Sequence, residues 1–309
     1  MALYPMSSLL AHARDHRYAV GYFEAWNLES VLAVKDAAEE LDSPVIIGFN
    51  GGFMGNPARR IPENVRHYAA LGRSIAEASA VPMSLILNEA DDVELLVDGL
   101  KAGFNVVMHN HERCNVQKSI EINRYLAATA HAMGAEVEAE LGELPVADAR
   151  TNIVTEGQVT DPQEAVRFVE QTGVDALAVA VGNVHMLEGR KAVLDLELVA
   201  TLAAKVPVPL VLHGGTGIED EELREAISIG IAKINIGTLL RRTFVNSLRR
   251  YFEERDVEAL DLNEVTSTGG RDDLLVEART SMSKEIRRLI KVFGSAGMAS
   301  RYPAPAQRR

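Results

Sequence analysis

Residues 209–238 read PLVLHGGTGIEDEELREAISIGIAKINIGT, an apolar strand, an amphipathic helix and a second apolar strand in succession. Both strands are apolar on both faces, as strands of a parallel sheet are when helices cover them. Each strand leads directly into glycine-containing residues, HGGTG after the first and GT after the second. Such a unit predicts an α/β protein whose reactive groups lie where the strands end.

The same unit recurs through the rest of the chain. Helix-like stretches, several of them ending in Gly, separate further apolar runs at 18–23, 44–50, 82–89, 105–111, 136–141 and 176–182. Together these make eight strands alternating with helices, which predicts a closed (β/α)8 TIM barrel. A doubly wound open sheet is the alternative, but it usually has a glycine-rich turn after its first strand, where this chain has FEAWN.

The length of 309 residues suits one barrel with extensions. We predict a single domain over 1–295, in which helices near 238–254 and 272–293 form a C-terminal extension. The segment 57–80 is long enough for two helices. The Pro- and Arg-rich end, 296–309, is predicted to be a flexible tail.

Composition excludes several classes of partner. The net charge is −12 with Lys and Arg spread along the chain, which argues against nucleic acid but not against a small anion held by backbone N–H groups. The single cysteine, Cys114, excludes an internal disulfide and favours a cytoplasmic location. No apolar run approaches the ~18 residues of a membrane span, so we expect no membrane association.

Polar and ionisable residues concentrate at the predicted strand ends. Four histidines lie there beside carboxylates, which favours a divalent-metal site over isolated structural histidines. The residues are Asn88 and Glu89 after strand three, His109, Asn110 and His111 at strand four, Glu138 and Glu140 on strand five, His185 after strand six, and His213 after strand seven.

HGGTG (213–217) and NIGT (235–238) predict a phosphate site. Glycines let backbone N–H groups approach an oxyanion, threonine hydroxyls add donors, and the loops after strands seven and eight are the common phosphate site of this fold. Glycines that only form tight turns are the alternative interpretation. The predicted contacts are Gly214, Gly215, Thr216, Gly237 and Thr238.

These motifs carry a family resemblance. Together with YAVGYFEAWNLES, VEAELGEL and TDPQEAVRFVEQTGVDALAVAVGNVH, they resemble the class II, metal-dependent ketose-bisphosphate aldolases, which include fructose- and tagatose-bisphosphate enzymes. The resemblance covers nearly all of 18–292. It implies a divalent metal, usually zinc, held by three histidines, which polarises the ketone of dihydroxyacetone phosphate and stabilises its enediolate.

By position, the resemblance assigns site residues to this chain. His185 and His213 correspond to two metal ligands, and Glu140 corresponds to a carboxylate beside the metal. Gly214, Thr216, Asn235 and Thr238 correspond to contacts with the phosphate and the diol.

The chain departs from the family pattern on strand three. The family has roughly Leu-His-Leu-Asp-His where this chain has LILNE (85–89). An amide exchanges no proton near neutral pH, so Asn88 is expected to orient a substrate oxygen without acting as acid or base. Glu89 takes the place of the third histidine. Two histidines and a carboxylate suit zinc best, with manganese or iron as alternatives.

A second departure lies on strand four, where Met-Ile-Asp-Gly-Ser is replaced by MHNHE (108–112). His109 and His111 are two apart on a strand and should point to the same side, so either is a candidate for the lost proton carrier or for the metal shell. Glu24 stands where the family usually has Asn. In the loop after strand five, Glu143, Asp148 and Glu156 are further acidic candidates.

Three functions remain open. The first is a lyase that makes or breaks a C–C bond beside the ketone of a phosphorylated ketose or sugar acid, and not by the ordinary fructose-bisphosphate reaction. The second is an isomerase or epimerase that reprotonates the same enediolate. The third is a non-catalytic sugar-phosphate-binding protein. In each case we expect a small phosphorylated sugar-type partner and a homodimer or homotetramer.

Overall fold

The computed structural model describes residues 3–111, 114–142, 145, 157–184, 192–256 and 259–302. Eight parallel strands close into a barrel in chain order, with β1 paired to both β2 and β8. The strands are β1 (Val20–Glu24), β2 (Val45–Asn50), β3 (Met83–Ala90), β4 (Val106–His109), β5 (Glu136–Leu141), β6 (Ala176–Val179), β7 (Leu210–Leu212) and β8 (Ile231–Ile236). The (β/α)8 prediction is confirmed.

The described helices surround this barrel. They are α1 (Met6–His16), α2 (Leu28–Glu40), α3 (Gly51–Met54), α4 (Val65–Ala78), α5 (Val93–Ala102), α6 (Val116–Ala132), α7 (Pro162–Thr172), α8 (Leu196–Lys205), α9 (Asp220–Ile229), α10 (Thr238–Glu253), α11 (Leu262–Val265) and α12 (Leu274–Val292). Many begin after an Asn or Asp whose side chain accepts a hydrogen bond from the first turn, as Asn115 does from Lys118 and Asp161 does from Gln163. Among the described helices, none is long and apolar enough to cross a membrane.

The strands alternate between two cores. On β1, Val20 and Tyr22 pack inside the barrel, while Phe23 packs outward against the helices. The inner core also contains Leu9 and Leu10 of α1. This helix therefore covers the N-terminal end of the barrel and leaves the C-terminal ends of the strands for the site.

The C-terminal helices pack on the outside of the barrel. Arg279 of α12 forms a bidentate ion pair with Asp36 of α2, at 2.6 and 2.8 Å. Part of the predicted tail is packed as well: the backbone N–H of Ala299 donates to Asp42 at 2.9 Å, and the Tyr302 ring meets Tyr4 edge-on at 5.5 Å. The expected tail is thus docked as far as residue 302, and 303–309 lie outside the described residues.

Two local predictions differ from the structure. The segment 57–80 contains one long helix, α4, whose N-cap is Asn64, instead of two helices. Strand β4 ends at His109, whereas the predicted strand ran on to His111. The alternation of a strand therefore does not govern the relation between His109 and His111, and the expectation that both point to the same side loses its basis.

Candidate active site

A cavity of about 560 Å³ opens at the C-terminal ends of the strands. Most of the predicted site residues line it. They are Asn88, Glu89, Glu140, His213, Gly214, Thr216, Asn235, Gly237 and Thr238. Strands that are far apart in sequence therefore bring the carboxylates, the histidine after β7 and the two glycine-containing motifs to one place.

His213 follows β7 and is 1% exposed. Its Nε2 lies 3.0 Å from Glu138 Oε1, while its Nδ1 lies 3.2 Å from Glu89 Oε1 and 3.8 Å from Glu140 Oε1. Burial alone would lower the pKa of His213, but the three carboxylates raise it to about 10. Without a bound metal, the imidazole is therefore a cation among carboxylates.

An ion pair inside the barrel supports this histidine. Lys233 of β8 lies 2.7 Å from Glu138 Oε2, and both side chains are fully buried. Lys233 Nζ also donates to Asn235 Oδ1 at 2.6 Å. Burial acts to raise the pKa of Glu138, but Lys233 and His213 together lower it below its usual value. Glu138 is thus ionised and accepts a hydrogen bond from His213 Nε2.

The Glu89 carboxylate faces His213 because the C-terminal end of β3 is irregular. Its φ is +53°, in the left-handed region, and the register between β3 and β4 shifts between Leu87 and Ala90. Regular alternation would place Asn88 and Glu89 on opposite faces, but the irregularity lets both line the cavity. The Glu89 carboxylate is also held by Asn50, whose Nδ2 donates to Oε2 at 3.0 Å.

The donor set fits a divalent cation in part. With bonds of 2.0–2.1 Å, two ligands of a tetrahedral zinc ion are about 3.3 Å apart, close to the 3.2 Å between Glu89 Oε1 and His213 Nδ1. A carboxylate on the second nitrogen of a ligating histidine, here Glu138, is the usual support of a metal ligand. Within the described residues, no three His, Cys, Asp or Glu side chains already form a metal-binding group. The remaining predicted ligand, His185, lies outside the described residues, as do Glu143, Asp148 and Glu156.

The two histidines of the strand-four motif have different surroundings. His109 is 3% exposed, and burial lowers its pKa, with Asp91 opposing. His111 Nε2 lies 2.6 Å from the Gly142 carbonyl, so this nitrogen must be the donor, and His111 Nδ1 lies 3.4 Å from Glu140 Oε2. Neither is among the described residues that line the cavity. His111 therefore approaches the carboxylates at His213, whereas His109 is part of the barrel wall.

The two glycine motifs form one side of the cavity. Gly214 has φ +67°, a conformation that glycine adopts without strain, and it begins the short 3-10 turn Gly215–Gly217. Gly214 and Thr216 line the cavity; Gly215, predicted as an anion contact, is instead buried, and a Cβ there would lie 2.7 Å from Ile234. Thr238 begins α10 and places the N-terminus of that helix at the same wall.

Several functional candidates were missed by sequence reasoning. Tyr22, Asp91 and Arg241 also line the cavity, and Arg241 pairs with Glu24 at 2.6 Å across 217 positions of sequence. No local pattern indicates such a contact. Lys233 was also missed although it left a signal, since it interrupts an apolar strand and a buried charge requires a partner.

Comparison with known proteins agrees with this geometry. Residues 4–298 match the family model described as fructose-bisphosphate aldolase class-II. The Escherichia coli protein YdjI is 34% identical over 287 residues, which cover 93% of this chain and 96% of YdjI. The D-tagatose-1,6-bisphosphate aldolase subunit GatY of Klebsiella oxytoca is 29% identical over 298 residues, covering 96% and 99% of the two chains. The crystal structure of the YdjI aldolase matches with a TM-score of 0.78 at 31% identity, over 96% of this chain and 99% of that one.

A barrel with this cavity, matched over nearly its whole length, defines a class of protein. The chain belongs to the class II fructose-bisphosphate aldolase family and is an aldolase-type lyase. The resemblance inferred from the sequence motifs is thereby confirmed.

Proposed function

We propose that the protein cleaves and forms a C–C bond beside the ketone of a phosphorylated ketose or sugar acid, with a divalent metal in the cavity. The observation that carries the proposal is the meeting of Glu89 and Glu140 at His213 Nδ1, with His213 Nε2 fixed by Glu138. Glu89, His185 and His213 would hold the ion, with Glu140 beside it. When bound, the cation would supply Lewis acidity that polarises the ketone and stabilises the enediolate. Zinc suits these donors best, and manganese or iron are alternatives.

Polar atoms around the cavity support a hydroxylated, anionic ligand. The Tyr22 hydroxyl, Asn88 Oδ1 and Asn235 Nδ2 are buried and have no hydrogen-bond partner among the described residues. Because such atoms are costly to leave unsatisfied, they favour a ligand rich in hydroxyl and carbonyl groups. Gly214, Thr216, Gly237 and Thr238 provide the backbone and hydroxyl donors for a phosphate. Asn88 orients a substrate oxygen in this proposal.

His111 is the better placed of the two proposed proton carriers. It contacts Glu140, one of the two carboxylates at His213 Nδ1, whereas His109 is enclosed in β4. His111→Ala should lower turnover by roughly 10²–10⁴, the usual share of acid–base catalysis, and His109→Ala should change it by less than about tenfold. Steady-state kinetics of both variants test this assignment. Full turnover by His111→Ala would exclude it.

A cleavage assay tests the function itself. Purified protein is stripped with EDTA, reloaded with zinc or manganese, and incubated with a panel of phosphorylated and unphosphorylated ketoses. We expect a triose phosphate to be released from a phosphorylated ketose only by the metal-loaded protein, and His213→Ala to release none while keeping its fold. Cleavage unaffected by EDTA, or cleavage of no ketose by the loaded protein, would contradict the proposal.

A further inference from the structure

Glu24 and Arg241 form an ion pair at the wall of the cavity. Arg241 Nη2 donates to Glu24 Oε1 at 2.6 Å, and Nε approaches Oε2 at 3.4 Å. The two partners differ in freedom, since the Glu24 side chain is 7% exposed and the Arg241 side chain is 37% exposed. Glu24 belongs to β1, whereas Arg241 lies on the first turn of α10.

Glu24 packs against the backbone that follows β8. A Cβ on Gly237 would be 2.2 Å from Glu24 Oε2, so the carboxylate lies directly against this glycine. Arg241 has other support: its guanidinium lies 4.8 Å from the centre of the Trp26 ring and 4.6 Å from that of Phe53. Arg241 therefore has stabilising contacts besides Glu24, and its side chain is the more exposed of the pair.

The pair shares the cavity with the proposed phosphate contacts. Glu24, Arg241, Gly214, Thr216 and Thr238 all line it. An anion at the N-terminus of α10 is therefore within the reach of Arg241 and also meets the negative charge of Glu24. Two negative charges in a partly enclosed site repel each other, so binding of the anion is unfavourable while Glu24 is ionised.

Loss of Arg241 would leave Glu24 as a buried carboxylate without its counterion. Such groups are neutralised rather than kept charged. Within the part of the chain that the structure describes, the other titratable groups that act on Glu24 are Glu89 from β3 and Tyr22 from its own strand, and neither supplies a positive charge. Burial already raises the pKa of Glu24, Arg241 only partly offsets this, and Glu89 adds to it.

We propose that Arg241 exchanges partners when a substrate anion binds, moving from Glu24 to the anion, and that Glu24 takes up one proton from solvent as it is released. The inference rests on the anion site of the proposed function. It makes Arg241 the binding cation for the phosphate end of the substrate and couples that binding to protonation.

Sulfate is the probe, because it stays a dianion near neutral pH and so contributes no proton of its own. Its binding to the full-length protein is measured by calorimetry in two buffers of different ionisation enthalpy. The wild type should take up close to one proton, and its affinity should weaken by up to about tenfold per pH unit between about pH 6.5 and 8.5. Glu24→Gln should bind sulfate more tightly, without proton uptake and with less than about a twofold change over that range.

Two further variants complete the test. Glu39→Gln removes a carboxylate paired with Lys35 on α2, at 2.6 Å, and should behave as the wild type does. Arg241→Met should lose sulfate binding. Sulfate binding by the wild type without proton uptake, equal uptake by Glu24→Gln, undiminished binding by Arg241→Met, or no sulfate binding at all would each overturn the exchange. None of these readouts depends on C–C cleavage, so failure of the proposed function is recognised separately by the cleavage assay.

Discussion

At the scale of single residues, the orientation of His213 depends on Lys233, which it does not contact directly. Lys233 keeps Glu138 ionised, and Glu138 holds His213 Nε2, so that Nδ1 faces the carboxylates of the cavity. The Lys233–Glu138 ion pair is fully buried, so loss of either partner would leave a charge inside the barrel without its ion-pair partner. Lys233 acts as a positioning residue for His213.

Removing one partner of this pair should be costly. Lys233→Met removes one of the two cations beside the buried Glu138 carboxylate and leaves it with His213 alone, so we expect the free energy of unfolding to fall by about 3–5 kcal/mol. Lys35→Met breaks the half-buried Lys35–Glu39 pair within one helix and should cost about 1 kcal/mol or less. Urea unfolding of the two variants measures the difference. An equal decrease in the free energy of unfolding of both variants would show that the buried pair contributes no more to stability than the Lys35–Glu39 pair.

At the scale of elements, the end of β3 decides how the site is built. Glu89 adopts a left-handed conformation, which costs a residue with a side chain about 1 kcal/mol or more. That conformation turns the carboxylate towards His213. Local strain at this strand end is the structural cost of the Glu89–His213 contact.

This strain predicts an unusual order of stability. At position 89, Gly should be more stable than Ala by about 1 kcal/mol, because Gly accepts a positive φ. At Glu121, which is exposed in the middle of α6, Ala should be more stable than Gly by about 1 kcal/mol. Chemical unfolding of the four metal-free variants tests the reversal. The same order at both positions would contradict a strained Glu89.

Sequence patterns predicted the elements better than their ends. Apolar runs located all eight strands, because burial on both faces leaves a continuous signal. The direction of Glu89 could not be predicted, since it depends on an irregular register between β3 and β4. The separate surroundings of His109 and His111 were missed for a different reason, because β4 ends between them.

At the scale of the molecule, the barrel is closed at one end and open at the other. Buried residues of α1, among them Met6 and Leu10, complete the inner core at the N-terminal end. The sequence of α1 gave little indication of this, since its charged residues obscure a short apolar face. The packing of residues 296–302 was likewise hidden by a composition typical of loose ends. The cavity therefore lies at the open end of the barrel, where the C-terminal ends of all eight strands lie.

We propose that this cavity uses a bound divalent metal to remove a proton beside a ketone. Proton NMR of dihydroxyacetone phosphate in deuterium oxide tests it most directly, because this half of the reaction requires no aldehyde. We expect zinc- or manganese-loaded protein to exchange the hydroxymethyl proton beside the ketone for deuterium. EDTA-treated protein and metal-supplemented His213→Ala should leave the signal intact. An undiminished signal with the loaded wild type, or equal exchange in all three samples, would rule out metal-assisted proton removal in this cavity.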